Sequence, residues 1–544
     1  MSIRAHALLR FNLLVASLGL VAAAVGCAKP SLPVWSHDDP ADHHVVAVDE
    51  RGRSVYPAAW PKPHPTTREY DHQLDGMMKA MDAWWTDYSA RHPVNEGRRV
   101  LIFVHGGLTP PESSLTRSAA RTAEIEEAGY FPIFIVWNPE LWSSYREHLA
   151  YVRRGRYEED SDLLGPFYFL ADLGRAITRT PVVWTFQADN DFKRIRAGAS
   201  AIYHSGVNRR WLDNPQFANA VAVTAALTTE YHEHAPSAIP TSLGPVKGKA
   251  LDPFLHNVWF FASVVPRMFL TPSLDAGGMA AWDNMYRRAS ILFDGFTTSN
   301  LRLPSTQPAT FIHPGPGAVV RLIEELHKKQ EAEGWKITLV GHSMGSIVLN
   351  ELVRRCDQLH DGAHRTDGDE RFRLKFDNIV YLAAACSVRD FQRTVVPYMQ
   401  HNPDTQFYNL SLHPVNEIRE NSFYELAPRG SLLVWIDDMF STARTPLDRT
   451  LGRWENIVET VYILPDDVRP RIHLKGFGAY VNVANVDQNP QEHGDFSGLR
   501  YWDPHFWEVT PRDRVLGDIP DVLEKANDLS IQVQLHPPST QTAE

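Results

Sequence analysis

The chain has 544 residues, with 54 Lys and Arg against 65 Asp and Glu, a net charge of −11. Hydrophobic residues make up 43% and charged residues 22%, which excludes disorder, a collagen-like chain or a long coiled coil for its bulk. An acidic balance without a Lys/Arg block excludes a nucleic-acid binder, since phosphate neutralisation needs a concentrated basic face. Three cysteines make no disulfide framework, so the fold must rest on core packing.

At the N-terminus, Arg4 and Arg10 precede the apolar residues 11–25, which end in Ala24-Val25-Gly26-Cys27. A positive start, a short apolar run and small residues before a cut mark a secretory signal. The run, about 15 residues, is too short to span a bilayer. Its end resembles a bacterial lipobox. The resemblance implies that residues 1–26 are removed and that Cys27 becomes a diacylated first residue, making the membrane a partner. Ala28 stands where, in that family, Asp marks inner-membrane retention, which implies the periplasmic side of the outer membrane. Residues 27–70, rich in Pro, His and Asp, suit a tether with one short strand at residues 45–48. His43-His44 reads there as a surface pair.

Leu74, Met77, Met78, Met81, Trp84, Trp85 and Tyr88 recur at helical spacing and predict a helix over 73–91. Residues 99–104 (RVLIFV) and 131–137 (FPIFIVW) are the continuous apolar runs of strands buried on both faces, with a helix at 118–128 between them. From 140 to 310 the pattern changes. Residues 167–177 and 217–227 read as helices, and the apolar run 258–265 stops at Pro266. This block is read as a mainly helical insertion, in which Trp259, Phe260 and Phe261 belong to a core helix or line an acyl pocket. His232-Glu233-His234 reads as a solvated loop. Residues 318–333 then predict an amphipathic helix, and 335–340, 378–384, 406–412 and 471–476 predict strands. Cys356 and Cys386 fall in apolar stretches and read as buried thiols. The alternation implies an α/β fold with a mostly parallel sheet covered by helices, built from 71–139 and 311–524. Residues 525–544 read as a polar tail.

The strand at 335–340 runs into Gly341-His342-Ser343-Met344-Gly345 and then into the apolar helix 347–353. A serine on so tight a turn has strained backbone angles, and its neighbours two residues either side must be glycine to avoid clashes. Such a turn lifts the hydroxyl above the sheet, beside a helix N-terminus. About 240 residues upstream, the strand at 99–104 ends in His105-Gly106-Gly107-Leu108.

With these two turns the chain resembles an α/β-hydrolase of the lipase/esterase kind, over 95–137 and 318–510. The resemblance implies the α/β-hydrolase fold, the 140–310 insertion as a cap, and Ser343 as nucleophile. It further implies an oxyanion hole from the backbone amides of Met344 and Gly107. Because the run is HGGL and not HGGG, Leu108 is the other candidate for the second donor. His105 is read as structural. Family order places an acid and then a histidine after the serine. Beyond the last strand stand His493, His505 and His536; His493, followed by Gly in a Gly/Asp/Ser-rich loop, is taken as general base and His505 as a helix start. The acid is expected after residues 406–412, where Glu417 is the first carboxylate. Asp437 and Asp438 are the alternatives, on a stretch read as an amphipathic helix with both on its solvated side. The implied reaction is hydrolysis of a carboxylic ester or lipid through an acyl-enzyme, with no cofactor and no metal. Acyl transfer, phospholipase activity and a non-catalytic envelope scaffold are the alternatives.

Overall fold

In the computed structural model the described residues are 41–64, 66–92, 97–153, 156–157, 164–197, 262–294, 317–357, 374–412, 417, 420, 430–441, 443–460, 463–477, 490 and 492–507. Cys27 with the signal segment, residues 217–227, 232–234 and 259–261, and His536 lie outside them.

The described chain opens with a single helical turn at Ala41–His44, then β1 (Val45–Val48) and β2 (Ser54–Val55), followed by α1 (Thr67–Arg91). Thr66 caps α1 by accepting the Glu69 N–H on its hydroxyl. Next come β3 (Arg99–Val104), α2 (Pro111–Glu127) and β4 (Phe131–Val136). The insertion supplies α3 (Leu141–Ala150), a small hairpin of β5 (Val152–Arg153) and β6 (Arg156–Tyr157), and two long helices, α4 (Gly165–Ala197) and α5 (Val264–Asp294). The chain continues through α6 (Ala318–Glu333), β7 (Lys336–His342), α7 (Gly345–Asp357), β8 (Asn378–Leu382), α8 (Val388–His401) and β9 (Gln406–Leu412). Then follow α9 (Leu432–Trp435), which runs on into a π-helical turn at Ile436–Phe440, α10 (Trp454–Thr460), β10 (Ile472–Phe477) and α11 (Pro504–Trp507).

The apolar runs form one eight-stranded sheet in the order β10-β9-β8-β7-β3-β4-β1-β2. Every neighbouring pair is parallel except β1 with β2. Parallel strands are joined by helices that cover both faces, so β3, β4, β7, β8 and β9 are buried almost end to end. From β3 the chain steps outward to β4; after the insertion it returns to β7 and proceeds the other way to β10. Right-handed crossovers in opposite directions put α2 on one face and α6, α7 and α8 on the other. The carboxyl ends of β3 and β7 therefore flank the switch point, where open α/β sheets form a crevice. Val104 and Gly341 are register partners there, so the two following turns start side by side.

Two expectations change. The stretch read as a tether is built into the body from His43 onward: β1 pairs with β4, and Gln73 on α1 donates to the Val45 carbonyl at 2.9 Å. His44 is no surface residue; it is buried, with Nδ1 2.8 Å from the Pro132 carbonyl. In the insertion, α5 brings Trp282, Met285, Ala289, Leu292 and Phe293 into the main core. Several charges there are paired, some of them buried. Glu147 on α3 sits 2.8 Å from both Arg287 and Arg288 and accepts from Asn284, while Arg179 on α4 holds Asp275 through two nitrogens at 2.6 and 3.0 Å.

Removing one partner of a buried ion pair leaves the other charge uncompensated. Glu147→Ala is expected to lower the unfolding free energy by about 3–5 kcal/mol. Urea denaturation of wild type and variant measures it, and Glu147→Gln, which keeps an acceptor for Arg288, is expected to lose less.

Candidate active site

β7 ends at His342 and α7 begins at Gly345, so only Ser343 and Met344 make the turn between them. Ser343 has a φ of 51°, the left-handed region that costs a residue with a Cβ. The conformation is held from all sides. The Ser343 N–H donates to the Leu382 carbonyl at 2.8 Å, and its own carbonyl accepts from Ser346 N, Ser346 Oγ and Ala385 N at 3.1, 2.7 and 3.0 Å. A side chain at Gly345 would place its Cβ 2.1 Å from the Val104 carbonyl oxygen, an approach that only glycine permits.

The turn after β3 packs directly on this one. A Cβ at Gly106 would lie 2.8 Å from Ser343 Cβ, and one at Gly107 would lie 2.7 Å from Met344 Sδ and 3.3 Å from the methyl of Met285 on α5. Leu108 also has a positive φ, 63°, and is exposed. Among the described residues, the backbone N–H groups of Gly107 and Met344 donate no hydrogen bond. The Met344 amide belongs to the free first turn of a helix. The Leu108 N–H is likewise unspent among the described residues, so Met344 with either Gly107 or Leu108 offers the two amides beside a serine hydroxyl that an oxyanion site needs.

His493 opens a 3-10 turn, His493–Gly498, fixed by a reciprocal capping box between Glu492 and Asp495. Its Nε2 lies 2.8 Å from Ser343 Oγ. The ring is 6% exposed and Ser343 is 0% exposed. Burial, together with the neighbouring His342, pushes the His493 imidazole well below its ordinary range, so it is neutral at pH 7 and able to accept a proton. Neighbouring side chains hold the loop. His342 Nε2 donates to the His493 carbonyl at 3.0 Å, Arg117 on α2 donates to Ser497 Oγ at 2.9 Å, and Arg121 donates to the Gly498 carbonyl at 2.5 Å. Burial also pushes His342 down to about 4 and His105 down to about 3. His105 receives the Trp137 N–H on Nε2 at 3.2 Å and donates through Nδ1 to the Gly106 carbonyl at 3.0 Å, a structural part in shaping the β3 turn. His505 lies at the first turn of α11, with its carbonyl 3.4 Å from Lys475 Nζ. Cys356 and Cys386 are buried free thiols.

The carboxylates are placed otherwise than their order in the chain suggests. Glu417 is buried and makes no hydrogen bond to His493; its carboxylate accepts from Ser431 Oγ. Burial pushes Glu417 up to about 8, against the opposing pull of Ser431 and Arg453. Asp437 does not lie on a solvated helix face. It is buried and accepts from Thr450 N, Arg453 Nη1 and Asn456 Nδ2 at 2.7, 3.1 and 2.8 Å, which ties the π-helical turn to the loop before α10. Asp438 lines a small cavity against α4 and α5 with Gln187 and Thr271. The group that meets His493 is Glu420, whose Oε2 accepts the His493 backbone N–H at 2.8 Å. His493 Nδ1 is buried and, among the described residues, without a hydrogen-bond partner. Among the same residues no group of three His, Cys, Asp or Glu is placed to hold a metal ion.

Compared with family models, with curated proteins and with solved structures, the chain matches none. Function must be argued from this geometry.

The state of Glu417 has a measurable consequence. Its folded pKa of about 8 exceeds the ordinary carboxylate value of 4.5, so the folded form holds a proton that the unfolded form releases. That stability is fully present below pH 4.5 and is lost as pH rises toward 8. Glu417→Gln, neutral at every pH, is expected to flatten the fall in melting temperature between pH 5 and 8.5. Parallel profiles for wild type and variant would contradict the assignment.

Proposed function

We propose that this protein is a serine hydrolase of the α/β-hydrolase kind that cleaves carboxylic esters, with a lipid or simple ester as substrate. The observation that carries the reading is His493 Nε2, 2.8 Å from a serine hydroxyl on a strained strand-to-helix turn. Strand order supports it: β4-β3-β7-β8-β9-β10 has its one reversal between β3 and β7, and both candidate turns follow those two strands.

In this reading Ser343 Oγ attacks the ester carbonyl carbon while its proton passes to His493 Nε2. The carbonyl oxygen, now negative, takes hydrogen bonds from the Gly107 and Met344 amides, each worth about 3–4 kcal/mol in such a site. The ester C–O bond breaks, the alcohol leaves with the proton from His493, and an acyl group remains on Ser343. Water, deprotonated by the same imidazole, releases the acid. Burial keeps the imidazole neutral between proton transfers and strengthens the amide contacts. The insertion caps the cleft through α5, whose Met285 reaches Gly107. Diacylated Cys27 anchors the chain to the periplasmic side of the outer membrane, since two acyl chains suffice for stable anchoring where one does not.

Ser343→Ala is expected to abolish turnover of p-nitrophenyl esters and labelling by a fluorophosphonate probe, a loss of about 10⁴-fold or more, with an unchanged melting temperature. Wild type that neither labels nor turns over esters from acetate to palmitate would favour a binding scaffold. The anchor is tested separately. Cys27→Ser is expected to move the protein from the membrane fraction to the soluble or unprocessed one, and wild type found soluble in the periplasm would refute it.

A further inference from the structure

For His493 Nε2 to accept the Ser343 proton, the ring must carry its other hydrogen on Nδ1. The tautomer is set by whatever accepts that Nδ1–H, and an imidazolium formed beside it needs a negative charge to be stable. Nδ1 is buried, and among the described residues nothing receives it. The position is an unfilled requirement at the centre of the site.

Three carboxylates compete to fill it, and the contacts separate them. Asp437 is saturated by Thr450, Arg453 and Asn456. Glu417 is engaged by Ser431, and, protonated at neutral pH, it carries no charge with which to stabilise an imidazolium. Glu420 already touches His493, accepting its backbone N–H at 2.8 Å. The backbone nitrogen and Nδ1 of one histidine are separated by four bonds and lie within about 5 Å of each other. A carboxylate docked on the first is therefore one side-chain rotation from the second. The backbone is tied at both glutamates. The Gly430 N–H donates to the Glu420 carbonyl at 3.0 Å and the Ser431 N–H donates to the Glu417 carbonyl at 2.7 Å. In chain order Glu420 follows β9, the strand before β10, and precedes His493.

The geometry assigns Glu420 as the positioning residue for His493: its carboxylate holds the backbone N–H of the base with one oxygen and, one side-chain rotation away, takes the Nδ1–H. The assignment rests on the hydrolase reading above. It gives the neighbouring Glu417 a different task, that of a neutral residue hydrogen-bonded to Ser431.

The test compares Glu420→Gln, Glu420→Asp and Glu417→Gln in the full-length protein, by ester kinetics and by proton NMR of the imidazole N–H. Glu420→Gln is expected to lower kcat by about 10³–10⁴-fold, the cost of the wrong tautomer, with KM little changed. It is also expected to remove a far-downfield Nδ1–H resonance that His493→Gln removes too. Glu420→Asp, a shorter carboxylate on the same loop, is expected to recover much of both signals, which a merely structural role would not do. Wild-type kcat and an intact resonance in Glu420→Gln would overturn the assignment, as would loss of both in Glu417→Gln. A wild type inactive on every ester overturns the hydrolase reading instead, and the resonance still decides which carboxylate holds Nδ1.

Discussion

The structure turns on how closely two loops approach at the switch point of the sheet. β3 and β7 are register partners up to Val104 and Gly341, and beyond them the chain has no room to diverge. Gly345 lies against the Val104 carbonyl at a distance no side chain tolerates, while Gly106 lies close on Ser343 and Gly107 on the Met344 side chain. Backbone cannot yield here as a flexible side chain can. The closeness brings the free first turn of α7 to the end of β3 and sets two unspent amides near one hydroxyl. The strand order, the Gly-rich sequence of both turns and the strained serine are three expressions of this one approach.

Burial then decides the charges. Ser343, His342, His105 and His493 are all shut away from water, and the desolvation cost keeps each imidazole neutral. Two of the three rings spend their nitrogens on structure: His105 on the β3 turn, and His342 on the His493 carbonyl. Only His493 faces the hydroxyl. Its loop has contacts on opposite flanks, with Glu420 on its backbone at one end and Arg117 and Arg121 from α2 at the other. The strain at Ser343, about 1–3 kcal/mol for such a backbone, is met by four hydrogen bonds to its peptide groups.

Much of this was legible in the sequence because parallel strands covered on both faces leave a plain mark. Residues 99–104 were bounded by a continuous apolar run, 406–412 by apolar residues broken only by Asn409 and Ser411 after Gln406, and the helix at 318–333 by its periodicity. What escaped has local causes. α8 carries Pro397 inside it, which masks a helical pattern whose buried face includes Phe391, Val395 and Met399. β2 has two residues and gains its place by pairing with β1 and bridging to Pro63. The serine and histidine of the candidate site were nameable because glycines bracket one and follow the other. The carboxylate was not. Glu417 and Glu420 stand three residues apart, and only the direction of each side chain tells which meets Ser431 and which meets His493. Asp437 misled differently: the helical stretch is real, but its π-helical turn buries that carboxylate in a ring of donors.

The insertion shows why so much charge is buried beside an apolar site. Apolar helix faces pack well in several registers, whereas an ion pair with fixed donors is satisfied in few. Glu147 grips Asn284, Arg287 and Arg288, three positions on one stretch of α5, and Met285 lies within that stretch. One turn of slippage would break those contacts and withdraw the Met285 methyl from Gly107. Farther along the same helix, Arg179 fixes Asp275, and Gly278 admits the Phe440 ring where a Cβ would collide with it. The desolvation of these charges costs stability that a wholly apolar seam would keep. What the cost secures is position: α5 stands at one height over the two turns, and the surface it presents to Gly107 is set by a carboxylate on another helix.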